Sequence, residues 1–142
     1  MPPIDHNRAS ESIVDAQHRS SAADTAATMP LDPTKLDVYQ RALDLLERVD
    51  QIYDLMPPGR AHLKDQLDRA ATSIVLNIAE GAGEFSKDEK QRFYRMARRS
   101  ATETAAILDI LDRRKAVDVV AIKSARELLV RVVSMLARLA GA

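Results

Sequence analysis

Two sets of side chains in this sequence have the types and spacing to do chemistry. The first is Gln66, Arg69, Ser73, Asn77 and Glu80, whose intervals of three and four place them on one face of a helix. Serine, arginine and glutamate are components of hydrolytic sites, but a serine nucleophile needs a base within hydrogen-bond reach and a donor for the oxyanion. The row contains no histidine, and His62 lies about three turns from Ser73 on another face. The row therefore reads as a set of hydrogen-bonding groups between helices or between subunits, or as a solvated face, and no catalytic residue is assigned. The second set is Lys90, Arg92, Arg95, Arg98 and Arg99, a ten-residue stretch without an acid. Arg92, Arg95 and Arg99 fall within about 60° of one another on a helix, opposite its apolar side. A row of guanidinium groups suits the phosphate backbone of RNA or DNA, where each neutralised phosphate releases counterions. Tyr94 is placed on the exposed half, where it can stack on a base, and Arg69 is a weaker phosphate contact. The alternative is that the arginines only solubilise the helix, Arg99 pairing with Glu103 four residues on.

Other chemistries find no footing. The chain has no cysteine, which removes disulfides, thiolate nucleophiles and thiolate metal sites. His6 and His18 read as solvated side chains, and neither Glu80 nor Glu103 is followed three residues later by the histidine that a di-iron bundle uses, so no metal site is assigned. Gly81 and Gly83 follow a helix and not a strand, so they form no phosphate loop, and no cofactor is expected. No apolar run is long enough to span a bilayer, and the N-terminus lacks the order of a signal peptide; the expected location is the cytoplasm.

The elements that hold these rows are helical. With 142 residues, 46% apolar and 30% charged, the composition suits one all-α domain. Its zero net charge is uneven: residues 1–33 carry five acids against two arginines, net −3, leaving +3 on the rest. That acidic tail, rich in serine, alanine and proline, has too little bulky apolar surface to order itself and is expected to be disordered. The bundle then covers residues 34–140, with helices at about 34–56, 60–80, 87–115 and 118–139. Pro57-Pro58-Gly59 stops the first. Gly81 and Gly83 are expected to supply positive φ where the second ends, and Ser86 with Glu89 forms a capping box for the third. Lys64 and Asp68, and Asp65 and Arg69, are spaced to pair along the second helix.

The first helix has a core stripe of Leu36, Tyr39, Leu43, Leu46, Val49 and Tyr53. A second stripe, Val38, Leu45 and Ile52, runs beside it. The third points Phe93, Ala97, Ser100, Thr104, Ile107 and Leu111 inward. The last buries Ile122, Leu129, Val133 and Leu136, flanked by Leu128, Val132, Met135 and Leu139. An apolar arc of half the circumference is wider than a bundle helix requires, so the extra stripes read either as a broad core seat or as a homo-oligomer interface.

One block is more specific than an amphipathic pattern. It runs Gln66-Leu67-Asp68-Arg69-Ala70-Ala71-Thr72-Ser73-Ile74, then Asn77-Ile78-Ala79-Glu80-Gly81-Ala82-Gly83, then Arg92-Phe93 and Ser100 with Glu103. This resembles a small bacterial four-helix-bundle family encoded in intervening sequences of 23S ribosomal RNA genes, which includes accessory proteins of diversity-generating retroelements. The likeness covers roughly residues 36–139. It departs from the family at Asp68, Arg99 and Ala101, where arginine, glycine and a large apolar residue are usual. The resemblance implies an antiparallel up-down-up-down bundle, often assembled as a ring-like homopentamer, with no established enzymatic activity. The expectation is thus a non-enzymatic, self-associating binding or adaptor protein that contacts nucleic-acid phosphates. The alternative is a scaffold for another protein.

Overall fold

The computed structural model describes residues 30–141. The expectation for the tail, His6 and His18 included, lies outside the described residues up to position 29. From Pro30 on the chain is placed: the Leu31 amide donates to the Ala82 carbonyl at 2.7 Å, and Asp32 accepts from the Thr34 amide and hydroxyl, opening a 3-10 turn over Pro33–Lys35. The Thr34 donors hold the Asp32 carboxyl below its usual range.

Four helices follow: α1 (Asp37–Leu55), α2 (Ala61–Ala82), α3 (Lys87–Arg113) and α4 (Val119–Leu139). Each packs on its two neighbours, with α2 on α3 most extensively, so the fold is an all-α, antiparallel up-down-up-down four-helix bundle. Local chemistry explains the corners. Met56 precedes a proline and is extended at φ −69°, ψ 134°, which ends α1, and Gly59 takes the turn with φ +91°. Ser86 accepts from the Glu89 amide at 3.4 Å, half of the expected capping box. The reciprocal half is not made, because the Glu89 carboxylate turns to Arg92. Asp118 caps α4 by accepting from Val120.

Between α3 and α4 the amides of Lys115 and Ala116 close on the carbonyls of Asp112 and Leu111, and Lys115 adopts φ +53°. Glycine ordinarily fills such a position, since a side chain there costs roughly 1–2 kcal/mol. Lys115→Gly is therefore expected to stabilise the bundle by about 1 kcal/mol, raising the melting temperature by about 4 °C in a calorimetric scan.

The core corrects two stripes. In α1 the buried residues are Val38, Ala42, Leu45, Val49 and Ile52, whereas Leu36, Tyr39, Leu43 and Leu46 are half-buried and Tyr53 is exposed. Helix α1 is thus rotated by roughly one residue from the sequence expectation. The tyrosines are amphipathic and favour the wet edge of the seat, while the small Ala42 completes a stripe that counting bulky residues overlooks. In α4, Val132 is buried and Val133 half-buried, the reverse of the expectation. Val38, Leu45, Ile52 and Val132 consequently cannot form an oligomer interface, because their own bundle already covers them. Leu128 and Met135 are half-buried and Leu139 is exposed, so of that set only these three reach the surface.

Candidate nucleic-acid interface

The two chemical rows meet at the seam between α2 and α3. Ser100 donates its hydroxyl hydrogen to the Ser73 Oγ at 2.9 Å, and the Asn77 amide donates to the same oxygen at 3.0 Å and to the Ser73 carbonyl at 2.9 Å. Thr104 donates back to the Ser100 carbonyl at 2.8 Å. Ser73 thus accepts from an amide and a hydroxyl, and neither can serve as the general base that nucleophilic attack requires. Of the expected row, Ser73 joins the two helices through Ser100, and Asn77 supports it from within α2. Gln66, Arg69, Glu80, Gly83 and Glu103 lie on the exposed surface instead. Arg69 pairs with Asp65 at 3.6 Å, as its spacing suggests, whereas Lys64 lies over the Tyr53 ring at 4.8 Å rather than reaching Asp68.

Gly81 does not act as a hinge. It is a buried helical residue, Gly83 has φ −79°, and neither has the positive φ expected of it. Gly81 is instead a point of close approach: a Cβ there would stand 2.7 Å from Tyr94 Cε1 and 3.2 Å from Phe93 Cβ.

That contact also corrects Tyr94, which is 3% exposed and cannot stack on a base. Burial pushes its phenol up from the usual range, and its hydroxyl has no hydrogen-bond partner among the described residues. Lys90 likewise leaves the basic row. Its Nζ is buried against the end of α2, donating to the Ala82 carbonyl at 2.9 Å and the Gly81 carbonyl at 3.3 Å, groups that a helix terminus leaves without intrahelical partners. Desolvation lowers its pKa, with the Glu84 charge opposing. Sequence reasoning missed this cap. The available signal was its place in the series 90, 94, 97, 101, 104, 108, 111, the fully inward stripe of α3.

The remaining arginines keep their face. Arg92 is held by Glu89 at 3.0 Å, by the Phe93 ring at 4.6 Å and by a 3.7 Å contact from Nη1 to Met96 Sδ. The Glu89 hydrogen bonds raise its pKa further. Arg95 and Arg99 are exposed and Arg98 half-buried, and their side chains join none of the ion pairs among the described residues; the Arg99 to Glu103 pair is not formed. Arg69 lies a turn beyond Ser73 on α2, level with Thr104 and apart from them. Among the described residues no group of three acids or histidines is placed to hold a metal ion, and no helix is long and apolar enough to cross a membrane.

Fold and surface together define a small antiparallel four-helix bundle with a hydroxyl-laced α2–α3 seam beside a strip of guanidinium groups, three of which join no ion pair among the described residues. The chain belongs to the 23S rRNA-intervening sequence protein family, which it matches over residues 34–138. It is similar in fold to the crystal structure of a protein of unknown function from the S23 ribosomal protein family of Bacteroides thetaiotaomicron. The TM-score is 0.68 at 20% identity, covering 74% of this chain and 99% of that one. No curated protein matches it.

Proposed function

We propose that this protein is a non-enzymatic binding module that holds nucleic acid by its phosphates, through Arg95, Arg98 and Arg99 with Arg92 at the edge of the strip. The observation that supports this reading is that the first three, on adjacent turns of one helix, join no ion pair among the described residues. Paired surface arginines would already have spent their attraction on carboxylates. Phosphate contacts of this kind fix a backbone without reading bases, so little sequence preference is expected.

The test is fluorescence anisotropy of labelled RNA and duplex DNA across a range of salt. With three to four phosphates engaged, log K should fall against log salt with a slope of about −3 to −4 for the duplex and about −2 to −3 for a single strand. Arg95→Glu/Arg99→Glu should weaken binding by about 100-fold at low salt. Absence of saturable binding at low salt would sink the reading.

A second reading, a scaffold for protein partners, is favoured by one observation. Leu76 is 58% exposed in the middle of the polar row of α2, where a hydrophobic spot with a polar rim resembles the core of a docking surface. Self-association, including the pentamer that the family likeness implies, would use the apolar surface that remains outside: Leu43, Leu46 and Tyr53 on α1, and Leu128, Met135 and Leu139 on α4. Light scattering at micromolar concentration checks it, a monomer being the contrary result.

A further inference from the structure

The bundle is electrically two-sided. Helices α1 and α2 carry eight acids against four cations, and α3 and α4 carry six acids against eleven cations, so one half is −4 and the other +5. The imbalance is sharpest in α4, where Lys123, Arg126, Arg131 and Arg138 stand against Glu127 alone. A field of this shape draws a polyanion to the α3–α4 side, and the α3 strip accounts for only part of it.

The seam between α3 and α4 shows how the other cations are placed. Arg126 donates to Asp109 at 2.6 Å, and a Cβ on Gly141 would stand 2.6 Å from the Gln91 side-chain nitrogen. These two contacts fix the antiparallel register and put Lys123 level with Arg113 to within about one residue. Asp109 also marks the side of α3 that is turned outward beside α4. Counting 100° per residue, Arg95, Arg98, Thr102 and Arg113 lie within about 40° of it. On α4, Lys123, Val130 and Ser134 lie within about 80° of Arg126. Arg98 is half-buried and the other five of these unpaired positions beyond Thr102 are exposed.

One face therefore carries cations at both ends. Arg95 and Arg98 are at one end, and Arg113 and Lys123 are about 22–27 Å along the axis at the other. Neither Arg113 nor Lys123 joins an ion pair among the described residues. Between them the surface is low and uncharged, formed by Thr102, Ala106, Val130 and Ser134. The bordering acids leave the face positive: Asp109 is taken by Arg126, Asp112 is half-buried, and Glu127 stands on the outer shoulder of α4. Glu103 is about 120° round α3 from Asp109, toward α2.

Two separated clusters suit a rod more than a flexible thread. A duplex is stiff and repeats its charge at about 1.7 Å of axis, so it can rest on both clusters at once. Single strands are held by a continuous basic groove with aromatic rings for the bases. Helix α4 has no aromatic residue, and on α3 Tyr94 is buried while Phe93 lies under Arg92.

We propose that the whole α3–α4 face docks double-stranded nucleic acid, with Arg113 and Lys123 holding phosphates at the end opposite Arg95 and Arg98. This deepens the phosphate reading above and rests on it. Two more phosphates steepen the salt dependence for a duplex to a slope of about −5, against the −3 to −4 that the α3 strip alone supports.

The test is anisotropy of a labelled 20-base-pair duplex, as RNA and as DNA, and of one of its strands, titrated across salt with the full chain and two variants. Arg113→Glu/Lys123→Glu should weaken duplex binding about tenfold or more at low salt and return the slope to −3 to −4. Arg48→Glu/Lys64→Glu makes the same change of net charge on the α1–α2 half and should alter affinity about twofold or less. Equal weakening by both variants would reduce the effect to long-range charge and overturn the second contact cluster. A single strand bound as tightly as either duplex would overturn the duplex assignment. If Arg95→Glu/Arg99→Glu abolishes binding while Arg113→Glu/Lys123→Glu leaves affinity and slope unchanged, this inference fails and the α3 strip stands. No binding of any probe by the parent chain would remove both.

Discussion

Ile52→Ala should cost about 2–5 kcal/mol of folding free energy, and Leu46→Ala on the adjacent stripe of the same helix about 1 kcal/mol or less. The Ile52 side chain is fully buried in the core shared by all four helices, while Leu46 is half-buried at its edge. Truncating a side chain in a close-packed interior loses its transfer free energy and leaves a cavity, whereas at an edge water fills the gap. The comparison separates two roles for the broad apolar arc of α1. If Ile52 lined a subunit interface, its truncation would weaken assembly and the loss of stability would vary with protein concentration. As a core residue it should shift the urea midpoint equally at all concentrations with an unchanged slope. An Ile52→Ala variant as stable as the parent, with altered sedimentation, would return this stripe to the interface.

The sequence of α1 is compatible with more than one rotation about its axis. Its periodicity is strong, but two apolar stripes share the arc, and period alone fixes the helix without fixing its rotation. In α3 the same ambiguity arises differently. The expected stripe 93, 97, 100, 104, 107, 111 and the fully buried stripe 90, 94, 97, 101, 104, 108, 111 share Ala97, Thr104 and Leu111. Both have the alternating four-three interval. What tips the balance is a lysine at the head of the second series, and charge makes lysine read as solvated. Its partners are the carbonyls at the end of α2, which reach it only once the short joint folds α3 back on α2. No pattern within α3 can disclose them.

By contrast, the number of helices, their approximate limits and their antiparallel order were legible, because Pro57-Pro58-Gly59 and the Ser86 cap are local signals. The arginine strip was also legible, since outward period needs no tertiary information. What was not legible is which cations stay free. Arg92 is tied to Glu89, and Lys90 is consumed as a cap. The candidate surface is therefore narrower than the basic run, and it is centred on Arg95, Arg98 and Arg99.

Gly81→Val should destabilise the bundle by about 3 kcal/mol, and Gly81→Ala by about 1–2 kcal/mol. The alanine case sets two effects against each other. Gly81 is inside α2, so alanine gains about 1 kcal/mol of helix propensity. That gain is overcome by the contact: the new Cβ would stand 2.7 Å and 3.0 Å from two atoms of the Tyr94 ring and 3.2 Å from Phe93 Cβ. Tyr94 is 3% exposed and has no room to swing, and a Cβ cannot yield without moving the α3 backbone. The strain falls where Lys90 holds the end of α2, so the same substitution should loosen the Leu31 anchor and speed exchange of its amide. Valine adds a branched Cβ to the same space. The decisive measurement is a double-mutant cycle by urea denaturation. Tyr94→Leu removes the ring edge, and Gly81→Ala made in that background should become neutral or stabilising, giving a coupling energy above about 1 kcal/mol. Additive losses would show that Gly81 is required for some reason other than the approach of this ring.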